Sequence, residues 1–89
     1  MEIKKGTNQF YIGKEENQSL ARITFQVDGN TLIVDHTIVS EELQGQGIAK
    51  KLLNHLLDYA RKNNYKIVPV CPYVKAAFEK NPSWSDLLA

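Results

Sequence analysis

Gln44-Gly45-Gln46-Gly47-Ile48-Ala49-Lys50-Lys51-Leu52 is the stretch that decides the fold. A β-rich run, Thr31–Val39, leads into it, and a run with helical spacing, residues 48–63, follows. Two glycines therefore stand where a chain leaving a strand turns sharply into a helix. The first turn of a helix has N–H groups without internal partners and carries the positive end of the dipole. Glycines let a diphosphate approach those groups closely, so the stretch has the shape of an anion cradle.

Two familiar cradles are excluded by spacing. A Walker loop needs four residues between its glycines and then Lys-Ser/Thr, whereas Gly47 is followed by Ile48, Ala49, Lys50 and Lys51. The dinucleotide fingerprint matches at Gly45 and Gly47, but Lys50 takes the place of its third small residue, and the acidic residue expected after a second strand is missing. What remains is Gln-x-x-Gly-x-Ala, with an apolar residue between Gly47 and Ala49 and Leu52 three residues on. This pattern resembles the pyrophosphate-binding motif of the GCN5-related N-acetyltransferases (GNAT). With the His36-Thr37 pair before the loop and Cys71-Pro72-Tyr73 after it, the chain is similar to a minimal, GNAT-like group of small acetyltransferases. The plain alternative for the loop is a tight connection with glycines for geometry alone.

Composition sets the frame. Eighty-nine residues make one domain with a small core. A formal net charge of +1, with lysines and acids interspersed, argues against nucleic acid as the main partner. The single cysteine allows no internal disulfide and fits a reducing cytoplasm. The first residues lack the apolar core of a signal peptide, and no apolar run approaches the roughly 20 residues needed to span a bilayer, so no membrane association is expected.

Outward from the cradle, alternation defines the strands. Residues 4–8 are polar and read as a turn or a frayed start, and residues 9–14 as a first strand. Residues 20–27 put Ala21, Ile23, Phe25 and Val27 on one face, a half-buried second strand. Asp28-Gly29-Asn30 signals a hairpin into the third strand, Thr31–Val39. Strict alternation on that strand groups Leu32, Val34, His36 and Ile38 against Ile33, Asp35, Thr37 and Val39. In the helix, Ile48, Leu52, Leu53, Leu56, Leu57 and Ala60 make one apolar stripe, and Asn63-Asn64 ends it. Residues 65–70 read as a fourth strand, with Pro69 implying an edge or a distortion and Pro72 closing it. Residues 73–80 read as a last helix, followed by a tail in which Trp84 and Leu87 pack back. The predicted fold is α/β: three antiparallel strands, then a parallel strand-helix-strand unit and a C-terminal helix. The resemblance implies that this is a reduced GNAT fold in which the third and fourth strands splay apart.

The same resemblance implies acetyl-coenzyme A as co-substrate, its pantetheine arm lying in the splay against the backbone of Ile38 and Val39. Its diphosphate falls to Gln44, Gly45, Gln46, Gly47, Ile48, Ala49 and Lys50, with Phe78 beside the arm. Lys50 is otherwise a solvated helix residue. Around the expected thioester stand His36, Cys71 and Tyr73. His36 is either a base or acceptor-site residue, or a satisfied core histidine. Cys71 either carries or steers the acetyl group, or is a small buried hydrophobe. Tyr73 either protonates the departing thiolate or simply packs. A triad of Asp35, His36 and Cys71 is set aside because neighbours on a strand alternate faces. His36, His55 and Cys71 lack metal-ligand spacing, so no metal is expected. The implied function is acetyl transfer to a primary amine, on a small molecule or on a protein or peptide. The alternative is a non-catalytic coenzyme A-binding module, a sensor or subunit. Helices and strands that shape the acceptor site in larger family members are absent here; a homodimer is one way such a site would be completed.

Overall fold

A computed structural model describes residues 2–89. The chain runs β1 (Lys4–Gly6), β2 (Gln9–Gly13), β3 (Ser19–Asp28), β4 (Thr31–Val39), α1 (Ile48–Lys62), β5 (Lys66–Pro69) and α2 (Pro72–Lys80). Short 3-10 turns cover Glu16–Gln18, Glu41–Leu43 and Pro82–Leu87. The strands form one sheet in the order β1-β2-β3-β4-β5, antiparallel through β4 and parallel between β4 and β5. Parallel neighbours need a long crossover, which α1 supplies. Among the described residues no helix is long and apolar enough to cross a membrane.

The antiparallel part has one strand more than the polar composition of residues 4–8 suggested. Only Thr7 and Asn8 form the turn, with Asn8 at φ 56°, and Lys4–Gly6 pairs with β2 from Lys4↔Tyr11 to Gly6↔Gln9. Asparagine tolerates that left-handed conformation, and lysines suit an edge strand. Lys5 Nζ stands over the Tyr59 ring, 5.9 Å from its centre.

The second difference is in β4. Its register against β3 runs Phe25↔Val34 and then Thr24↔His36, so Asp35 is an extra residue, a β-bulge. Directly opposed residues share a face. Leu32 and Val34 therefore point into the core with Phe25, while Val27, opposite Leu32 at the hairpin end, is exposed; beyond the bulge Thr37 and Val39 point inward, opposite buried Ile23 and Ala21. His36 and Ile38 face the other way. The expected grouping of Leu32, Val34, His36 and Ile38 is thus broken in the middle by one inserted residue.

The core lies on one face of the sheet. All six stripe residues of α1 are buried there, against Phe10, Ile12, Ile23, Phe25, Leu32, Val34 and Ile67. Phe10 is boxed by Phe25, His55 and Tyr59, with ring centres 4.7–5.7 Å apart. From α2, Val74 and Phe78 join the core, and Trp84 stands edge-on to Phe78 at 5.4 Å. Leu87 is buried, and the chain end pairs with β5 through Ile67↔Leu88. Pro72 does not close a strand; it is the first residue of α2, capped by Cys71. A proline is favoured there because that N–H would lack a helical partner anyway.

Candidate active site

Three pieces of backbone converge at the ends of β4 and β5. β4–β5 pairing stops at Val34↔Pro69. There the Val34 carbonyl accepts from both the Val70 and the Cys71 N–H, each at 2.9 Å, and the chain turns away into α2. β4 continues to Val39 paired only with β3, so on its other side residues 35–39 edge an opening in the sheet.

The second piece is the loop from β4 to α1. Gly45 and Gly47 take φ of 80° and 71°, the left-handed region that favours glycine. A Cβ at either would meet nothing within 4 Å, so their role is conformational and the space before them is open. Gln44 Nε2 donates to Val39 O at 3.2 Å and Gln46 Nε2 to Glu42 O at 3.3 Å, tying the loop to the strand end and to itself. Gly47 caps α1 without a side chain, and the first turn of α1 holds no acid but does hold Lys50. Free N–H groups with a lysine beside the positive dipole end are unfavourable alone and favourable with an anion.

The third piece is the start of α2. Tyr73 reaches a cavity of about 190 Å³ whose other walls are Val39, Leu43, Gln44, Gly45, Gly47, Ile48, Ala49 and Lys50. Burial, and then the charge of neighbouring Cys71, push the Tyr73 phenol above its ordinary value of 10.0, so it is a protonated donor at neutral pH. Cys71 is 5% exposed, and its Sγ–H donates to Thr37 Oγ1 at 3.6 Å.

The cavity thus gathers most of the residues assigned to the diphosphate from sequence, together with Val39 and Tyr73. Leu43 joins them; its signal was a lone apolar residue in a polar run. Gln46 and Ile38 stand outside its walls, and Phe78 is buried behind Trp84. His36 is exposed on the opposite face of the sheet from Thr37 and Cys71. Asp35 lies beside it: the Thr24 hydroxyl donates to the Asp35 carboxylate. Burial raises the Asp35 pKa, but the hydrogen bonds from Thr24, its own backbone N–H and Gln26, with the charge of His36, outweigh it, leaving the carboxyl below its ordinary 3.8. Alternation therefore does not separate Asp35 from His36, because the bulge interrupts it. A triad is still not assembled, since the thiol meets Thr37. Thr37 is the residue that strand periodicity missed.

Across residues 9–87 the sequence matches the family of GCN5-related N-acetyl-transferases. The chain belongs to that family. It is similar to a GCN5-like N-acetyltransferase candidate from Staphylococcus aureus, with 49% identity, a TM-score of 0.80, and coverage of 99% of this chain and 87% of that one. An acetyltransferase candidate from Agrobacterium tumefaciens shows 27% identity and a TM-score of 0.59 over 81% of this chain and 55% of its own. A GNAT family acetyltransferase from Elizabethkingia anophelis, solved with acetyl-CoA bound, shares the fold at 20% identity and a TM-score of 0.54, over 83% of this chain and 51% of that one. The chain thus spans about half the length of these last two proteins. No curated protein matches it.

Proposed function

We propose that this chain binds acetyl-coenzyme A across the cradle and the opening beside β4, and transfers the acetyl group to a primary amine. The observation that carries this reading is the cavity where an uncapped, acid-free helix start, two left-handed glycines, the free edge of β4 and the Tyr73 phenol meet. The first-turn N–H groups of α1 and Lys50 hold the diphosphate. The arm runs inward along residues 38 and 39 and brings the thioester toward Thr37 and Cys71.

The acceptor amine approaches from the open face of the sheet, where His36 stands exposed. An alkyl ammonium has a pKa of about 10.4, so a proton must leave before attack, and His36, directly or through water, receives it. The amine nitrogen then forms a bond to the thioester carbonyl carbon, the carbon–sulfur bond breaks, the departing thiolate takes the Tyr73 proton, and the second proton shed by the new amide nitrogen passes through water to the Tyr73 oxygen, restoring the phenol. Cys71 lines the opening and steers the acetyl group. A direct transfer of this kind leaves its thiol unmodified.

Calorimetric titration with acetyl-coenzyme A, followed by intact mass on the same sample, tests this. Saturable binding without a mass change supports direct transfer. An acetyl-sized mass gain that disappears in Cys71→Ala replaces it with a route through an acetyl-cysteine. Absence of binding withdraws the reading altogether.

A further inference from the structure

The helices cover one face of the sheet, and the other face lies open. Beside the β4–β5 opening, the register sets Tyr11, Arg22 and Ile38 in one row across β2, β3 and β4. Ala21 and Ile23 are buried in the core, so Arg22 between them faces outward with its two neighbours. The next row pairs Thr24 with His36. Arg22 therefore stands on the diagonal from His36, about 7–8 Å away by strand geometry.

The charges of this face are placed but unmatched. Arg22 is half-buried and takes part in no ion pair among the described residues. Lys4, at the far end of the row, donates to Gly13 O at 3.0 Å. On the other side of His36 the Asp35 carboxylate accepts from the Thr24 hydroxyl at 2.5 Å, and it too has no ion-pair partner among the described residues. Leu20 and Ile38, 41% and 45% exposed, give the same face an apolar floor. A free guanidinium and a held carboxylate thus flank an exposed imidazole. They complement a molecule that carries a carboxylate and an ammonium a few bonds apart. The guanidinium fork fits a carboxylate, whereas a polyamine would set like charge against Arg22.

We propose that Arg22 sets the acceptor class. A small amine bearing a carboxylate, a free amino acid with an apolar side chain, lies across Ile38 with its carboxylate on Arg22 and its amine between His36 and Asp35. The inference rests on the acetyl-transfer reading above and names the acceptor for it. It makes Arg22 a specificity residue that touches the acceptor and not the coenzyme.

The test follows the acetylated products by mass, with acetyl-coenzyme A as donor. The acceptors are leucine and phenylalanine, their amides, a short peptide beginning with each, and spermidine. The free amino acids exceed their amides about tenfold or more in kcat/KM, as expected for a charge-assisted contact. Arg22→Gln removes that preference, chiefly through a higher KM for the amino acid. Arg22→Lys recovers only part of it, because an ammonium lacks the fork. Both variants keep their affinity for acetyl-coenzyme A in calorimetry, which shows that they are folded. Equal rates for amino acid and amide, a preference for the peptide or for spermidine, or a preference that survives Arg22→Gln overturns the proposal while acetyl transfer stands. If the coenzyme binds and none of these amines is acetylated, the acetyl-transfer reading fails, and this one with it.

Discussion

The two halves of β4 share one strand and have different purposes. The first half, through Val34, is paired on both sides, and Leu32 and Val34 are fully buried. Each such side chain contributes about 1.5–3 kcal/mol by leaving water. The second half, beyond the Asp35 bulge, is paired only with β3; Ile38 is 45% exposed, and Thr37 and Val39 edge the opening. Stability is concentrated where the sheet is continuous, and access is created where it stops. One extra residue marks the boundary.

If that division is right, substitutions in the two halves separate folding from chemistry. The largest effect on stability belongs to Leu32→Ala, which removes a fully buried side chain of the paired half. A loss of about 2–5 kcal/mol is expected in urea denaturation, a large part of the stability of a domain this small. Activity per folded molecule stays unchanged, and a loss of turnover in the remaining folded protein would blur the distinction. Gly47→Ala comes next, at the loop that follows the open half. Alanine in the left-handed conformation costs about 1–2 kcal/mol of stability. Displacement of the first-turn N–H groups lowers acetyl-coenzyme A affinity about tenfold or more, read by calorimetry. Unchanged affinity would mean that the glycine serves the turn alone.

Thr37→Val probes the open half itself. The change keeps the shape and removes the hydroxyl that accepts from Cys71. Stability moves by about 1 kcal/mol or less, the net worth of one such bond. The acetyl-transfer rate falls severalfold at unchanged KM for acetyl-coenzyme A, and Thr37→Ser restores it. Equal loss in both Val and Ser variants would assign Thr37 to packing.

The sequence made the first half of β4 readable and the second half misleading, for one physical reason. Periodicity works where a strand is regular. It found Leu32, Val34, all six buried residues of α1 and the hairpin at Gly29. The cradle was legible because left-handed glycines before a helix carry a strong local signature. The bulge was not, because an extra residue adds no composition signal, and alternation then grouped His36 with Leu32 and Val34, and Thr37 with Ile33 and Asp35. The first strand was hidden by its lysines, which belong to an edge. The meeting of Arg22, His36 and Asp35 on the open face depends on strand pairing beside the bulge, which no local pattern encodes.

The bulge residue supplies the finest test of the comparison, and the smallest effect. The Asp35 carboxyl is depressed in the folded chain below 3.8, because its hydrogen bonds and the charge of His36 outweigh its burial. The folded state therefore binds this proton less readily than the unfolded state does. Its contribution to stability is complete above about pH 5 and is lost as the pH falls through 3.8 toward the folded value. Asp35→Asn lacks that contribution at every pH. The difference between wild type and variant in denaturation midpoint is expected to be level from neutral pH down to about pH 5, and to close below that. A difference that instead widened on acidification would mean that the carboxylate is strained at the bulge rather than held there. The boundary between the two halves would then be maintained by the Thr24 contact on β3 and not by the charge that the inserted residue brings.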